Sequence, residues 1–225
     1  MNWLAHLYLS EADPAFRIGN LLPDMLPPDA IAALTGQFQR GAEQHRKIDA
    51  FTDSHPVFRR SVRRLSPAFR RFGAILFDVF YDHFLARTWS AYSTQPLPDF
   101  VDAVHRSFDV HRAEIPPLAY ERLCDMRSGN WLQTYGDLDG LRNTLHRIER
   151  RFRRPVDLAS SVAELELHYS DCKADFDEFF PELVERFGGN NSATACPADT
   201  ASSGYKDPCG FAAGFGTLPS PERLS

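Results

Sequence analysis

The sequence lacks a long apolar run. Nowhere do its 225 residues approach the roughly 18 consecutive apolar residues that a membrane-spanning helix needs. Residues 1–10 are apolar, but His6 interrupts them, and they have neither a basic leader nor a small-residue cleavage site, so we do not expect a signal peptide. These absences predict no membrane partner and a cytoplasmic location.

Cysteine is scarce, and its four copies show no CxxC spacing. Cys124 and Cys172 fall within helical patterns, where a reduced, packing role is the ordinary interpretation. The motifs GxGxxG, GxxxxGK[ST], GxSxG and HExxH are also missing. The sequence therefore gives no sign of dinucleotide, P-loop, serine-hydrolase or zinc-protease chemistry.

An excess of positive charge is absent too: the net charge is -5, which argues against a general nucleic-acid binder. Two basic stretches nevertheless stand out. Residues 56–72 hold six arginines and no acidic residue, and residues 146–154 hold five arginines against one glutamate. We expect these stretches to bind an acidic partner, the alternative being solvated helix faces. The six arginines of the first stretch are Arg59, Arg60, Arg63, Arg64, Arg70 and Arg71.

Helical periodicity dominates the chain, and no convincing alternating strand pattern is present. Residues 138–153 show apolar side chains in 3-4-3-4 spacing, which is typical of an amphipathic helix. Residues 74–89 are apolar around almost the whole circumference, which indicates a central, buried helix. We therefore predict an all-α fold, a compact bundle of about seven to eight helices.

The composition changes at Gly188. Residues 188–225 are rich in Gly, Ser, Ala, Thr and Pro, and they contain few large apolar side chains and no period. Such a segment buries too little apolar surface to order itself. We predict a working domain at residues 1–187 and a flexible tail without a catalytic role at residues 188–225.

The first candidate for chemistry is the pair His45 and Asp49, four residues apart within a predicted helix. Side chains at this spacing project from one face, so an imidazole nitrogen and a carboxylate oxygen can bind one metal ion or one water. Such a pair is more often a surface hydrogen bond, and both interpretations stay open from the spacing alone.

The most apolar helix carries two carboxylates and an imidazole, those of Asp78, Asp82 and His83. Burying an unpaired carboxylate costs several kcal/mol, so such groups are paired, protonated or bound to a cation. A structural ion pair with an arginine, for example Arg46 or Arg87, is the alternative to a cation site.

Asp24 and His6 complete the set of candidates. Asp24 lies in a loop bounded by glycine and proline, where a carboxylate is easily aimed into a cleft, although a turn or N-cap role is common there. His6 lies on an apolar helix face, where a satisfied core histidine is the ordinary alternative. Taken together, carboxylates and imidazoles without cysteine suit Mn²⁺ or Mg²⁺ better than a structural zinc.

Several motifs, in the same order along the chain, resemble those of the bacterial acyl carrier protein phosphodiesterase family. The resemblance covers about residues 1–187, and the co-occurrence of the motifs makes it more specific than any one of them. The motifs lie at residues 1–7, 19–24, 45–49 with Thr52 and Asp53, 78–85, Trp89, and Trp131, Leu132 and Tyr135.

The resemblance implies a fold and a reaction. The family is regarded as a divergent branch of the HD phosphohydrolases, helical bundles with a metal centre of histidine and aspartate. The resemblance implies Mn²⁺ as the cofactor, with Mg²⁺ or another divalent ion as an alternative. It also implies holo acyl carrier protein as the substrate. The reaction implied is hydrolysis of the phosphodiester between 4′-phosphopantetheine and a carrier serine. One departure limits the transfer of ligands, because the adjacent pair here reads Asp82-His83 rather than His-Asp.

The resemblance also implies residue roles. Asp49 would orient or deprotonate the attacking water, Asp78 would hold a ligating imidazole, and Arg46 would bind the phosphate. The six arginines of residues 56–72 would dock the acidic carrier. Two other interpretations stay open: a hydrolase of the same metal class acting on a nucleotide or another small phosphate ester, and a metal-free helical adaptor with basic docking faces. The metal ligands implied are His6, Asp24, His45, Asp82 and His83.

Overall fold

The computed structural model describes residues 1–189, and within them it contains α-helices, short 3-10 turns and no strand. The 3-10 turns are Leu22–Asp24, Trp89–Ala91 and Ala159–Ser161. The α-helices are α1 (Trp3–Leu9), α2 (Pro14–Gly19), α3 (Pro28–Ala32), α4 (Gly36–Ser54), α5 (Pro56–Arg64), α6 (Pro67–Arg70), α7 (Gly73–Arg87), α8 (Leu97–Val110), α9 (Pro117–Ser128), α10 (Trp131–Thr134), α11 (Leu138–Glu149), α12 (Val162–Leu167) and α13 (Tyr169–Phe187).

The predicted all-α class is confirmed. Seven of the described helices have nine or more residues. The short ones are set apart largely by proline: α2, α3 and α6 each begin on a proline, which fits the first turn of a helix but cannot continue a preceding one. None of the described helices combines the length and the apolar character needed to cross a bilayer. Apart from Gly188 and Gly189, the predicted tail lies outside the described residues.

Helix α7 is the central element. Its apolar side chains are almost completely buried on every side, as the sequence pattern predicts. The helix contacts α1, α5, α11 and α13, so side chains that leave it in different directions reach different parts of the molecule. This placement decides where its polar residues lie.

Helices α2 and α4 pack backbone to backbone. A Cβ atom added at Gly41 would lie 2.2 Å from the carbonyl oxygen of Phe16, and one added at Gly19 would lie 2.4 Å from that of Phe38. Both distances are far inside van der Waals contact, so the crossing requires glycine at both positions. The close approach brings Asn20, which directly follows α2, against the face of α4 that carries His45.

A buried carboxylate joins α5 to α13. Asp175 is 1% exposed and accepts hydrogen bonds from Arg60 Nε at 2.7 Å, Arg64 Nε at 3.0 Å and Ser61 Oγ at 2.7 Å. Three donors satisfy a charge that would otherwise be costly to bury. Two partly exposed arginines of the first basic stretch therefore hold α5 to α13 through a buried carboxylate.

Candidate active site

The site is assembled from four elements. His6 comes from α1, Asn20 from the end of α2, Asp24 from the 3-10 turn Leu22–Asp24, and His45 with Asp49 from α4. His45 and Asp49 project from one face of α4, and the His45 Nε2 atom lies 3.1 Å from Asp49 Oδ2.

Asn20 orients both imidazoles. Its side-chain oxygen accepts a hydrogen bond from His6 Nδ1 at 3.0 Å, and its main-chain oxygen accepts one from His45 Nδ1 at 2.7 Å. The Asn20 amide nitrogen donates to the His6 carbonyl oxygen and to Ser10 Oγ, which fixes the orientation of the amide. With a proton on each Nδ1, a neutral ring carries its lone pair on Nε2.

Both Nε2 atoms face oxygen. His6 Nε2 lies 3.1 Å from Asp49 Oδ1 and 3.1 Å from the Met1 carbonyl oxygen. His45 Nε2 lies 3.6 Å from Asp24 Oδ1 as well as close to Asp49. Asp24 is held in turn by Trp3, whose indole Nε1 donates to Asp24 Oδ2 at 2.9 Å. A cation between these nitrogen and carboxylate oxygen atoms, either a proton or a metal ion, would stabilise the arrangement.

Burial sets the protonation of this cluster. It lowers the pKa of His6 to about 4, and the neighbouring His45 acts in the same direction. Burial would raise the pKa of Asp49, but the facing His45 and His6 rings and the Met1 amino group outweigh it and hold that pKa well below the usual range. Burial likewise opposes a charge on His45, but Asp49 and Asp24 outweigh it and raise the pKa of that ring. An ionised Asp49 beside a neutral His6 is thus the stable state near neutral pH.

The amino group of Met1 lies at the same end of the site. It is 3.1 Å from Asp49 Oδ1 and 3.0 Å from Asp78 Oδ1. Burial opposes its charge, but Asp78 and Asp49 raise its pKa to about 11. Burial raises the pKa of Asp78 to about 6. The cluster therefore attracts positive charge.

These residues fit a divalent metal ion. One donor atom from each of His6, His45 and Asp49 lies within 4.8 Å of the other two, and Asp24 adds a further oxygen beside His45. Two imidazole nitrogens and carboxylate oxygens form the mixed set that Mn²⁺ and related ions accept. The Nδ1 bonds to Asn20 supply the support that metal-ligating histidines usually have.

The cluster lies at the polar end of a cavity of about 340 Å³. Met1, Asp24, Asp49 and Asp78 line that end. The remaining wall is mainly apolar and aromatic, with two arginines from the second basic stretch. These wall residues are Asn2, Trp3, Ile75, Val79, Trp131, Tyr135, Thr144, Ile148, Phe152, Arg147 and Arg151.

A family model described as acyl carrier protein phosphodiesterase matches residues 1–183. The chain belongs to this family. Relatives named acyl carrier protein phosphodiesterase include one from Photorhabdus laumondii, 30% identical over 187 residues that cover 83% of this chain and 94% of the relative. Another, from Escherichia coli O157:H7, is 32% identical over 193 residues, covering 82% and 96% respectively. No solved structure matches the chain.

In this member of the acyl carrier protein phosphodiesterase family, the Asp82 carboxyl bonds the main chain of α1. Its oxygens accept hydrogen bonds from the main-chain N–H groups of Leu4 at 2.8 Å and Ala5 at 3.0 Å. These are first-turn donors of α1, so the carboxylate caps that helix from α7. Burial outweighs the two bonds and raises the pKa of Asp82 to about 8.

The His83 side chain contacts Tyr135 and Tyr169. Its Nδ1 donates to the carbonyl oxygen of Tyr135 at 2.8 Å, and its Nε2 lies 2.9 Å from the hydroxyl of Tyr169. Neighbouring positions on a helix point about 100° apart, and in this structure Asp82 and His83 have different hydrogen-bond partners. A second depression, lined by His83, Arg87 and Tyr169 among others, opens there.

The arginines singled out from the sequence fall into two groups, exposed ones and ones held in ion pairs. Arg46 is exposed on α4 and does not line the cavity. Arg60 and Arg64 are engaged with Asp175 and additionally with Glu178 and Asp171. The other four arginines of the first stretch are exposed: Arg59, Arg63, Arg70 and Arg71.

Sequence reasoning did not assign a role to three features that the structure places at the cluster or the cavity wall: Asn20, the tryptophan pair and Arg147. Trp3 and Trp131 stack with ring centroids 5.6 Å apart at the cavity wall. Asn20 lies within a motif of the family resemblance, and it is completely buried beside both imidazoles. Arg147 is part of the second basic stretch, which sequence reasoning treated only as a docking surface.

Proposed function

We propose that the chain hydrolyses the phosphodiester between 4′-phosphopantetheine and the serine of a holo acyl carrier protein, releasing the apo carrier. The observation that carries this proposal is the cluster of His6, His45 and Asp49 at the polar end of a cavity. Family membership supports the substrate, and the donor set supports hydrolysis assisted by a metal ion. The substrate and the free thiols of Cys124 and Cys172 fit a cytoplasmic reaction.

The proposed ligands are His6, His45, Asp49 and Asp24, and the proposed ion is Mn²⁺. When bound, such an ion polarises a phosphoryl oxygen and lowers the pKa of a coordinated water, which supplies a nucleophile near neutral pH. Asp82 and His83 are left out of this ligand set because their side chains are directed to α1 and to Tyr169.

The other residues of the site have supporting roles in this proposal. Asn20 holds the two imidazoles with Nε2 towards Asp49, and Trp3 holds Asp24. Asp78 lines the same cavity, lies 3.0 Å from the Met1 amino group and has a pKa that burial raises to about 6, and in this proposal it accepts the proton of the attacking water.

The docking surface of the proposal combines the two basic stretches. Phe72, at the end of the first, packs edge to face against Phe152 of the second, with ring centroids 5.6 Å apart. Phe152 and Arg151 line the cavity. Exposed arginines of both stretches therefore lie near its mouth, where they would attract an acidic carrier protein.

The test is the intact mass of holo acyl carrier protein incubated with the purified chain, with and without added Mn²⁺. We expect loss of the phosphopantetheine mass that depends on the ion and is absent in Asp49→Asn. A matched control is Asp102→Asn, which alters an exposed carboxylate on α8 and should keep full activity.

Two outcomes would contradict the proposal. A folded, metal-loaded chain that leaves the carrier intact but cleaves a small phosphodiester would be a small-substrate hydrolase. A folded chain that binds the carrier without binding metal or changing its mass would be an adaptor.

A further inference from the structure

Arg147 occupies an unusual position for an arginine. It lies on α11, half-buried, in the wall of the cavity that ends at the His/Asp cluster. Its guanidinium stacks over the ring of Trp131 at 4.2 Å from the ring centroid. Its Nη2 donates to Thr144 Oγ1 at 2.7 Å, and Thr144 is itself buried. Aromatic stacking and a neutral hydroxyl hold the group in one orientation.

No carboxylate of residues 1–189 forms an ion pair with Arg147. Burial lowers the pKa of the guanidinium, and Arg151 and Arg150 add to the positive charge around it. The exposed Arg142 on the same helix differs, since it pairs with Asp139 and Glu166. A partly desolvated guanidinium without an anionic partner is ready to bind an anion that enters the cavity.

The cavity suits an anion that carries a largely apolar chain. Its volume of about 340 Å³ lies at the lower end of the range of small-molecule sites, roughly 300–1,000 Å³. Apolar and aromatic side chains such as Ile75, Val79 and Phe152 suit a chain of methyl and methylene groups. The acidic residues at one end of the cavity would repel a free anion unless a bound cation offset their charge. The positive charge of Arg147, in contrast, attracts an anion.

We propose that this cavity binds the phosphopantetheine arm of the substrate, and that Arg147 holds a non-bridging oxygen of its phosphate. The proposal rests on the proposed function for the identity of the arm. In it, Arg147 takes the phosphate-binding role that the family resemblance implied for Arg46. Trp131 and Thr144 position Arg147, and the apolar wall receives the arm.

The test is a binding titration with 4′-phosphopantetheine and with pantetheine, which lacks the phosphate. Both Trp3 and Trp131 line the cavity, so intrinsic tryptophan fluorescence reports occupancy without turnover. The titration is performed with the divalent ion present, because the ion offsets the acidic end of the cavity and because 4′-phosphopantetheine, the product of the proposed reaction, is not turned over. The variants are Arg147→Ala and Arg147→Lys, with Arg142→Ala as the matched control on α11.

We expect the wild-type chain to bind 4′-phosphopantetheine more tightly than pantetheine. Arg147→Ala should weaken 4′-phosphopantetheine binding about 10- to 100-fold, the usual range for a lost charge-assisted bond, and leave pantetheine binding unchanged. Arg147→Lys should restore only part of the preference, because a lysine lacks the planar stacking group. Arg142→Ala should match the wild type.

An Arg147→Ala variant that keeps the full preference for the phosphorylated ligand would overturn the proposal. So would a wild-type chain that hydrolyses the holo carrier but binds neither ligand in the cavity, and the proposed function would then survive alone. Binding that depends on Arg147, in a chain that leaves the holo carrier intact, would support this subsite and contradict the proposed function.

Discussion

The imidazole rings of His6 and His45 lie stacked, with centroids 4.0 Å apart and planes 12° from parallel. Two positively charged rings would repel each other strongly at this distance, so at least one must be neutral. The burial that lowers the pKa of His6 to about 4 identifies His6 as the neutral ring. Stacking and the shared partner Asn20 together present two Nε2 atoms to Asp49.

Asn20→Ala should loosen the His6 ring while leaving every proposed ligand in place. The variant removes the oxygen that accepts from His6 Nδ1 and the amide nitrogen that donates to the His6 carbonyl oxygen and to Ser10 Oγ, whereas the main-chain oxygen that accepts from His45 Nδ1 remains. Loss of such a supporting contact typically costs 10- to 100-fold in metal affinity, roughly, and we expect a loss in that range. Competition between the chain and a chelator for Mn²⁺ measures it.

Asn143→Ala, at an exposed position on α11, is the control and should bind the ion as the wild type does. Equal affinities in Asn20→Ala and the wild type would show that Asn20 does not support the ligands. The proposed ligand set would then lose its main structural argument.

Asp49→Asn and Asp82→Asn should fail in different ways. Asp49 faces the two imidazoles and the Met1 amino group, so its amide variant should lose the metal and also the stability that these partners give the ionised carboxylate. Asp82 caps α1, so its amide variant turns an –NH₂ group towards a main-chain N–H and should lower the free energy of unfolding by about 1–3 kcal/mol. Urea denaturation and metal content measured on both variants separate the two roles. Metal loss in a fully stable Asp82→Asn chain would restore Asp82 as a ligand.

The sequence predicts the local part of the site and misses the long-range part. His45 and Asp49 share a face because helix geometry alone places positions four apart together. By contrast, the capping of α1 by Asp82 joins residues 77 and 78 positions apart, and no local pattern indicates it. The different partners of Asp82 and His83 likewise depend on which elements pack against α7, and the spacing of the two residues does not specify them. The position of Arg147 depends on the packing of α10 and α11 against the cavity, which periodicity does not specify.

The fold was more predictable than the site. Burial around the whole of α7 follows from an apolar run that no amphipathic surface helix would carry. The ion pairs of Arg60 and Arg64 were not foreseen, because their partner Asp175 lies more than 100 residues further along the chain. Composition shows only that arginines are concentrated there, and tertiary packing decides which of them stay free.

Asp175→Asn should show how this ion-pair cluster depends on pH. Burial alone would raise the pKa of Asp175, but hydrogen bonds from Arg64, Ser61 and Arg60 outweigh it and lower the pKa below the ordinary value. The unfolded chain titrates near pH ~3.9, so the stabilisation is fully present above that value and is lost as the pH falls through the lower folded-state pKa. We expect Asp175→Asn to be less stable than the wild type by about 1.5–3 kcal/mol at neutral pH, with the gap narrowing in acid.

Urea denaturation of both chains from neutral pH down to about pH 3 measures this gap, since that range brackets the unfolded-state titration. Asp177→Asn is the control on the same helix. Its exposed ion pair with Lys173 should contribute less than about 1 kcal/mol at any pH. A gap that stays constant with pH would mean that Asp175 is not ionised in the folded chain.

Charge reversal separates docking arginines from structural ones. Arg71 and Arg153 are exposed, and each belongs to one of the basic stretches that meet at the Phe72–Phe152 contact. Arg71→Glu and Arg153→Glu should raise KM for the holo carrier about tenfold, equivalent to ~1.4 kcal/mol, with kcat unchanged. High salt should weaken wild-type binding and shrink the difference, because exposed charges are screened beyond about 8–10 Å.

Arg106→Glu is the matched control for these variants, since Arg106 is exposed on α8 and belongs to neither stretch. Arg60→Glu and Arg64→Glu should instead lower the unfolding free energy, because each places a second carboxylate against buried Asp175. Steady-state kinetics at low and high salt, combined with urea denaturation, distinguishes these effects. If Arg71→Glu, Arg153→Glu and Arg106→Glu all leave KM unchanged at low salt, the carrier docks elsewhere, and the arginines near the cavity mouth are only a solvated surface.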